Sequence, residues 1–336
     1  MSFIHLHLHT EYSLVDGLIK ITDLASAVAN MNMPAISITE KNNVFSAIKF
    51  YRAMRDQGIK PLIGADLNLV TEKKDEFSNI LLLCQHIDGY KNLSKLITKS
   101  YTEGQYLGNP MIHFDWLKKY NDGLIVIDCA DNGNFTKIFT SNDNLNRNKT
   151  VENLLSLFPN RYYLELQRIG RKDEDLLVSN TLDYSEKFNI PVVATNNVRF
   201  LEETGFEAHE ARVCINQRFT LDDPRRPREY TNQQYVRSSE EMEDLFSDIP
   251  EAITNSFNIA QRCNVEFNLG KNFLPYFPVD ENETQDQRLI NESTKKLNEI
   301  LSEHEENTEL QSEKYHQRLQ KELDVIISMG FSGYFL

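Results

Sequence analysis

The amino-acid sequence predicts an α/β protein: a distorted (β/α)7-type barrel followed by a mainly helical segment. Short apolar stretches of strand length alternate with amphipathic helical patterns about seven times over the first 200 residues, which implies parallel strands joined by crossover helices. No glycine-rich phosphate loop follows the first stretch, and this favours a closed barrel over an open dinucleotide-binding sheet. After about Gly205 the pattern turns mostly helical.

Taken in order, the strand candidates are residues 3–9, 34–39, 60–70, 79–84, 123–129, 161–167 and 190–196. Thr22 or Asp23 is placed to cap a helix that runs to about Asn32, and Pro34 stops it before the second strand. Val44, Ile48, Tyr51 and Met54 recur at three-to-four spacing and mark one face of a helix over 43–57. Residues 238–246 and 250–263 read as helices with polar connections. The acidic stretch 280–286 reads as a linker or as the start of a new unit, and two long helical patterns follow near 284–304 and 313–329. A domain boundary at about residue 275 divides the chain into 1–275 and 276–336. The apolar, aromatic run 329–336 is expected to pack against further chain.

Hydrophobic residues make up 40% of the 336, enough to bury a core and to exclude a disordered chain. The formal net charge is −14, whereas a module that grips a nucleic-acid backbone usually presents a basic surface. Most of this surface is therefore expected to face solvent or a protein partner, with room left for a local basic groove. Cys84, Cys129, Cys214 and Cys263 are widely spaced, which matches neither a disulfide framework nor a zinc finger and suits a reducing cytoplasm. No apolar run has transmembrane length and the first residues lack signal-peptide character, so a soluble cytoplasmic protein is expected.

The richest segment is 3–17. In a regular strand His5, His7 and His9 share one face while Ile4, Leu6 and Leu8 share the other. Two imidazoles two residues apart offer nitrogen donors to one metal ion or to neighbouring ions, and Asp16 follows closely. The alternative is a strand whose polar face carries histidines without a ligand. His209 sits on a helical pattern with no second ligand at i+4, so it reads as packing. The arginines of 222–228 read as a loop pairing with its own acids, with phosphate contact as the rival. No Walker loop, nucleophile elbow or Cys–His nucleophile motif is present.

His7-Leu-His9-Thr-Glu-Tyr-Ser-Leu-Val-Asp16-Gly17 resembles the first motif of the PHP (polymerase and histidinol phosphatase) family. Residues 33–39 resemble its second strand, 59–66 its third and 190–196 a late barrel strand. Residues 219–228 and 329–335 resemble its polymerase branch, the alpha subunits of bacterial DNA polymerase III, rather than its phosphatases. The resemblance implies a PHP barrel over 1–275, and from 276 the start of a polymerase palm.

Active members of the family bind several metal ions through His, Asp, Glu and Cys ligands, and this sequence departs from their pattern. Where they read Thr-Asp-His, this chain has Thr39-Glu40-Lys41, and a protonated lysine cannot ligate and repels a cation. Asp66 stands where the family has Glu. Asn196-Asn197-Val198-Arg199 replaces Asn-Asp-Val-His. Cys129 lies one position before the family cysteine.

The expectation is a vestigial cleft of His7, His9, Asp16, Glu40, Lys41, Asp66, Asn197 and Arg199, without a bound metal and without a catalytic residue in this stretch. Lys41 and Arg199 are expected to pair with its acids in place of the lost cations. Should a site survive, His7, His9, Asp16 and Asp66 would hold zinc or manganese, and the activity would be that of a phosphoesterase, either a 3′–5′ exonuclease or a pyrophosphatase. For the intact protein the resemblance implies DNA-directed nucleotidyl transfer in DNA replication, with magnesium held by palm acids beyond Leu336. It also implies docking of the proofreading exonuclease (epsilon) subunit within the polymerase III holoenzyme, DNA contact mainly through other domains, and no membrane. A free-standing histidinol-phosphatase-like enzyme is the third reading, disfavoured by the segments after residue 205.

Overall fold

A computed structural model describes residues 2–70, 77–134, 136–137, 144–271, 274–303 and 309–336. The chain separates into two compact units, Met1–Phe267 and Asn268–Leu336.

In the first unit the elements run α1 (Ile21–Asn30), β1 (Ala35–Lys41), α2 (Ala47–Asp56), β2 (Lys60–Val70), β3 (Phe77–Cys84), α3 (Ile87–Thr102), β4 (Gln105–Tyr106), β5 (Asn109–Pro110), α4 (Phe114–Tyr120), β6 (Leu124–Asp128), α5 (Asn144–Leu157), β7 (Tyr162–Leu166), α6 (Glu174–Phe188), β8 (Val192–Ala194), α7 (Phe206–Gln217), α8 (Ser239–Leu245) and α9 (Pro250–Arg262). Helix α1 buries Ile21, Leu24, Ala25 and Val28 along one stripe. It begins at Ile21, so Thr22 and Asp23 lie inside its first turn instead of capping it, and Asp23 there complements the helix dipole. Helix α8 starts in a capping box, with Ser238 and Glu241 each bonding the other's backbone N–H.

Six strands form one sheet in the order β1-β2-β3-β6-β7-β8, and β4 and β5 form a separate hairpin. The β1–β2, β6–β7 and β7–β8 pairs are parallel, as the alternating pattern requires. Strand β3 runs against both of its neighbours. The link from β2 to β3 explains this reversal, because a parallel crossover needs about a dozen residues and residues 71–76 are too few.

Residues 3–9, predicted as the first strand, form no ladder strand. They lie between two edges of the sheet. Ser37 N donates to His5 O at 2.9 Å and Thr39 N to Leu8 O at 3.0 Å. On the other side Val198 N donates to His7 O at 3.0 Å, and His9 N to Val198 O at 2.9 Å. Two residues of β1 thus advance while the segment advances three, which is a β-bulge. The extra residue resets the alternation between Leu6 and His7. Ile4 and Leu6 join the core cluster on the inner face of the sheet, and Leu8 joins the cluster under the helices. His7 and His9 follow Ile4 and Leu6 to the inside. His5 does not share their face; its Nε2 lies 2.9 Å from Arg237 O and its ring packs edge-on to Phe3.

The inner face is graded along the strands. Its lower layer is apolar, with Ala35, Leu62, Ile125 and Val193 clustered with Ile259 and Ala260 of α9 and with Cys263 just after it. By the two-residue period of a strand the same face continues to Lys41, Asp66, Cys129, Glu165 and Asn197. Those polar ends of the strands build the site, at the rim where barrels place their chemistry.

The second unit packs α10 (Gln285–Glu303), α11 (Glu309–Ser328) and the short α12 (Ser332–Phe335), burying Leu289 and Leu323. Ser332 Oγ donates to Asp286 at 2.5 Å, and His316 Nε2 lies 2.8 Å from Asn298 Oδ1 across two helices. His304, within the predicted pattern 284–304, lies outside the described residues. Among the described residues no helix is long and apolar enough to cross a membrane.

Candidate functional site

His7 and His9 are both buried, with Asp66 of β2 opposite them. His7 Nδ1 lies 2.7 Å from Glu165 Oε1, and His9 Nδ1 lies 2.9 Å from Asp16 Oδ1. A carboxylate only accepts, so both rings carry their proton on Nδ1 and present a bare Nε2. These two Nε2 atoms are buried without a hydrogen-bond partner among the described residues. They lie 3.9 Å and 3.6 Å from Asp66 Oδ2, too far for a hydrogen bond. Three acceptors therefore converge, and ligand atoms of His7, His9 and Asp66 all fall within 4.8 Å of one another. His7, Cys129 and Glu165 form a second such group.

The cations arrive from two sides. Lys41 Nζ donates to both oxygens of Asp66 at 3.1 Å. Arg199 is buried, and its Nε lies 3.6 Å from Asp16 Oδ2. Burial by itself would raise both carboxyls. Arg199 leads the opposing pull at Asp16 and Lys41 leads it at Asp66, and both carboxyls are held below the usual range. Burial, helped by Arg199, pushes His9 down to about 4 and keeps it neutral at physiological pH. At Glu165 burial is outweighed by its contacts together, with His7 and with the donors Thr195 Oγ1 at 2.7 Å and Ala130 N at 2.7 Å, and its carboxyl is lowered.

Among the residues predicted for the cleft, the structure brings together His7, His9, Asp16, Lys41, Asp66 and Arg199. Asn197 lies on the same rim, its backbone left-handed at φ 46° and its carbonyl accepting from Gln234. Glu40 is not among them. It follows Thr39 and precedes Lys41 on β1, so it points to the opposite face. There it accepts from Thr10 N and Ser46 Oγ at 3.0 Å, and from the hydroxyls of Thr10 and Ser13. Burial raises its carboxyl above the ordinary value despite these donors.

Three contributors were missed from sequence. Glu165 of β7 alternates with Tyr163 and with Gln167 just past the strand, a signal that could have found it. Tyr230, whose hydroxyl lies 3.4 Å from Asp16 Oδ2, had no local signal. His209, read as packing, donates from Nε2 to Asp16 O at 3.1 Å. In the loop after α7, Arg225 pairs with Asp223, an acid of the loop itself, whereas Arg226 pairs with Glu210 of helix α7. The cleft in front of the site is about 620 Å³, and Asn42, Asn43, Asn68, Asn79 and Asn132 line its walls.

Residues 5–169, just under half of the chain, match the family model described as the PHP domain. It is 42% identical over 341 residues to DNA polymerase III subunit alpha of Pseudomonas aeruginosa, covering 100% of this chain and 29% of that protein. It is 42% identical over 339 residues to the same subunit of Escherichia coli K12, and 43% identical over 338 to that of Vibrio cholerae. Each of these alignments covers 99% of this chain and 29% of the relative. The chain is thus homologous, along its whole length, to the N-terminal region of the DNA polymerase III alpha subunits.

Proposed function

We propose that this chain is the N-terminal scaffold of a replicative DNA polymerase, its PHP site turned from metal catalysis to structural use. The observation that carries this reading is the Lys41 ammonium, 3.1 Å from both oxygens of Asp66, where a ligand carboxylate would face a metal ion. An ammonium supplies fixed charge but accepts no lone pair, so it neutralises Asp66 without offering Lewis acidity. Arg199 does the same beside Asp16. On this reading residues 276–336 lead into the palm, whose acids with magnesium carry out DNA-directed nucleotidyl transfer. The PHP unit stabilises the polymerase and docks the proofreading exonuclease subunit within the holoenzyme in the cytoplasm. DNA is then contacted mainly by other domains, in keeping with the net charge of −14.

A second reading has its own observation, the two bare Nε2 atoms that face Asp66. Their donor chemistry fits one borderline divalent ion such as zinc, and manganese less well, provided that Lys41 swings aside. Such an ion would supply Lewis acidity for phosphoester hydrolysis. His7 and His9 would be oriented for it by Glu165 and Asp16.

Metal content separates the two readings. The protein is purified without chelator and measured by elemental mass spectrometry beside a His7→Ala/His9→Ala control. Less than about a tenth of an ion per chain, unchanged in the control, supports the scaffold; near-stoichiometric zinc or manganese, lost in the control, overturns it in favour of the phosphoesterase.

A further inference from the structure

We propose that helix α7 and the loop after it form a latch on the Asp16 loop, with His209, Arg212 and Tyr230 as positioning residues that fix the tautomer of His9. The proposal deepens the second reading above, because that tautomer decides whether His9 offers a lone pair to a cation.

The Asp16 loop is anchored at its two ends, where Glu11 N donates to Ile19 O and Leu18 N to Arg199 O, both at 3.0 Å, but its middle is strained. After the single turn Glu11–Ser13, Leu14 sits at φ 63° and ψ −48°, and Val15 N donates to Ser13 O at 2.7 Å. This is a γ-turn of the strained hand, a state that leucine avoids unless neighbours impose it. Gly17 allows the loop to return against itself, since a Cβ there would lie 2.0 Å from Thr10 O.

Helix α7 restrains the middle of the loop, beside the Arg199 Nε that lies 3.6 Å from Asp16 Oδ2. Arg212 donates from Nε and Nη2 to Leu14 O at 2.9 and 2.7 Å, and from Nη2 to Glu11 O at 3.2 Å. One turn earlier, His209 donates from Nε2 to Asp16 O at 3.1 Å. Tyr230, returning from the following loop, directs its hydroxyl at Asp16 Oδ2 and packs edge-on to His209 at 4.6 Å. A buried ion pair between Glu210 and Arg226, with side chains 6% and 8% exposed, ties that loop back to the helix.

The consequence is chemical. With its carbonyl and Oδ2 engaged, Asp16 turns Oδ1 to His9 Nδ1, and this requires the proton on Nδ1. Released from the latch, the carboxylate can rotate away. His9 then gains the alternative of a proton on Nε2, donating toward Asp66 and closing the donor set to a cation. Helix α7, which contributes no ligand, thereby sets the cation affinity of His7, His9 and Asp66.

The test uses the full 336-residue chain, metal-free and near neutral pH. Long-range proton–nitrogen NMR reads the two ring nitrogens of His9, assigned with a His9→Gln variant, in wild type and in Arg212→Met/Tyr230→Phe. The wild type is expected to show the Nδ1–H form alone and the variant a mixture of both forms. Zinc affinity of the variant is expected to fall about tenfold. An unchanged His9 signal in the variant overturns the latch whether or not the protein binds zinc. A shifted signal in a protein that never binds zinc upholds the latch and removes only the cation reading. Tyr230→Phe alone, which deletes one hydroxyl, carries the same test if the double variant does not fold.

Discussion

Replacing Lys41 with methionine isolates the electrostatics of the site, because the stem stays and only the charge leaves. Asp66 is 2% exposed and ionised, and Lys41 donates to both of its oxygens. Stripping one partner from a fully buried pair costs about 3–5 kcal/mol. The Lys41 side chain is 26% exposed, so water already screens part of the attraction, and about 2–4 kcal/mol is the reasoned range. For a unit of this size that corresponds to a drop in Tm of roughly 5–12 °C. Urea unfolding of Lys41→Met, Asp66→Asn and the double variant measures the coupling directly, and the double variant is expected to recover most of the loss. The gap between wild type and Lys41→Met should also narrow in acid. A depressed carboxyl contributes stability above its unfolded pKa and loses it as pH falls through the folded value, whereas the variant no longer holds Asp66 ionised. A loss below about 0.5 kcal/mol for Lys41→Met, within the range of an ordinary surface change, would refute the view that this ammonium compensates a buried charge.

Other perturbations follow the same logic. Glu40→Gln should cost under about 1 kcal/mol because the surrounding hydroxyls can reverse, while Glu40→Ala should cost about 2–3 kcal/mol by stranding Thr10 N; chemical denaturation compares them. Burial pushes His5 to about 4, so between that pH and its unfolded value near 6.5 the unfolded chain binds the extra proton. His5 therefore contributes about 3 kcal/mol that is fully present above pH 6.5 and lost as pH falls to 4; a pH series of urea midpoints should be flatter in His5→Gln. Gly17→Ala should open the Asp16 loop, seen as faster amide exchange at residues 13–18 while β2 and β6 stay protected.

Much of the fold was legible because strands and helices advertise their periods. Residues 34–39, 60–70, 79–84 and 123–129 were found almost to the residue, since each is an apolar run bounded by turn chemistry. The direction of β3 was missed, although the short link before it carried the answer. His7, His9, Asp16, Lys41, Asp66 and Arg199 were legible as a group only through the motif resemblance. Glu40 was misplaced because adjacency in a motif says nothing about which face of a strand a residue takes. His5 was misplaced because a bulge leaves no mark in a run of alternating His and Leu. Tyr230 and His209 reach Asp16 across some two hundred positions of chain, beyond any local pattern.

A strand that alternates faithfully can offer one chemistry to each of its sides. With Ile4, Leu6 and Leu8 inward it would seal the lumen, and with His5, His7 and His9 inward it would equip it; no regular strand of these letters does both. The single residue gained against β1 lets the same short segment plug the floor with Ile4 and Leu6 and furnish the mouth with His7 and His9. Irregularity at this point is therefore a means of giving seven residues two employments, and the length of the segment is as much a part of the site as its histidines.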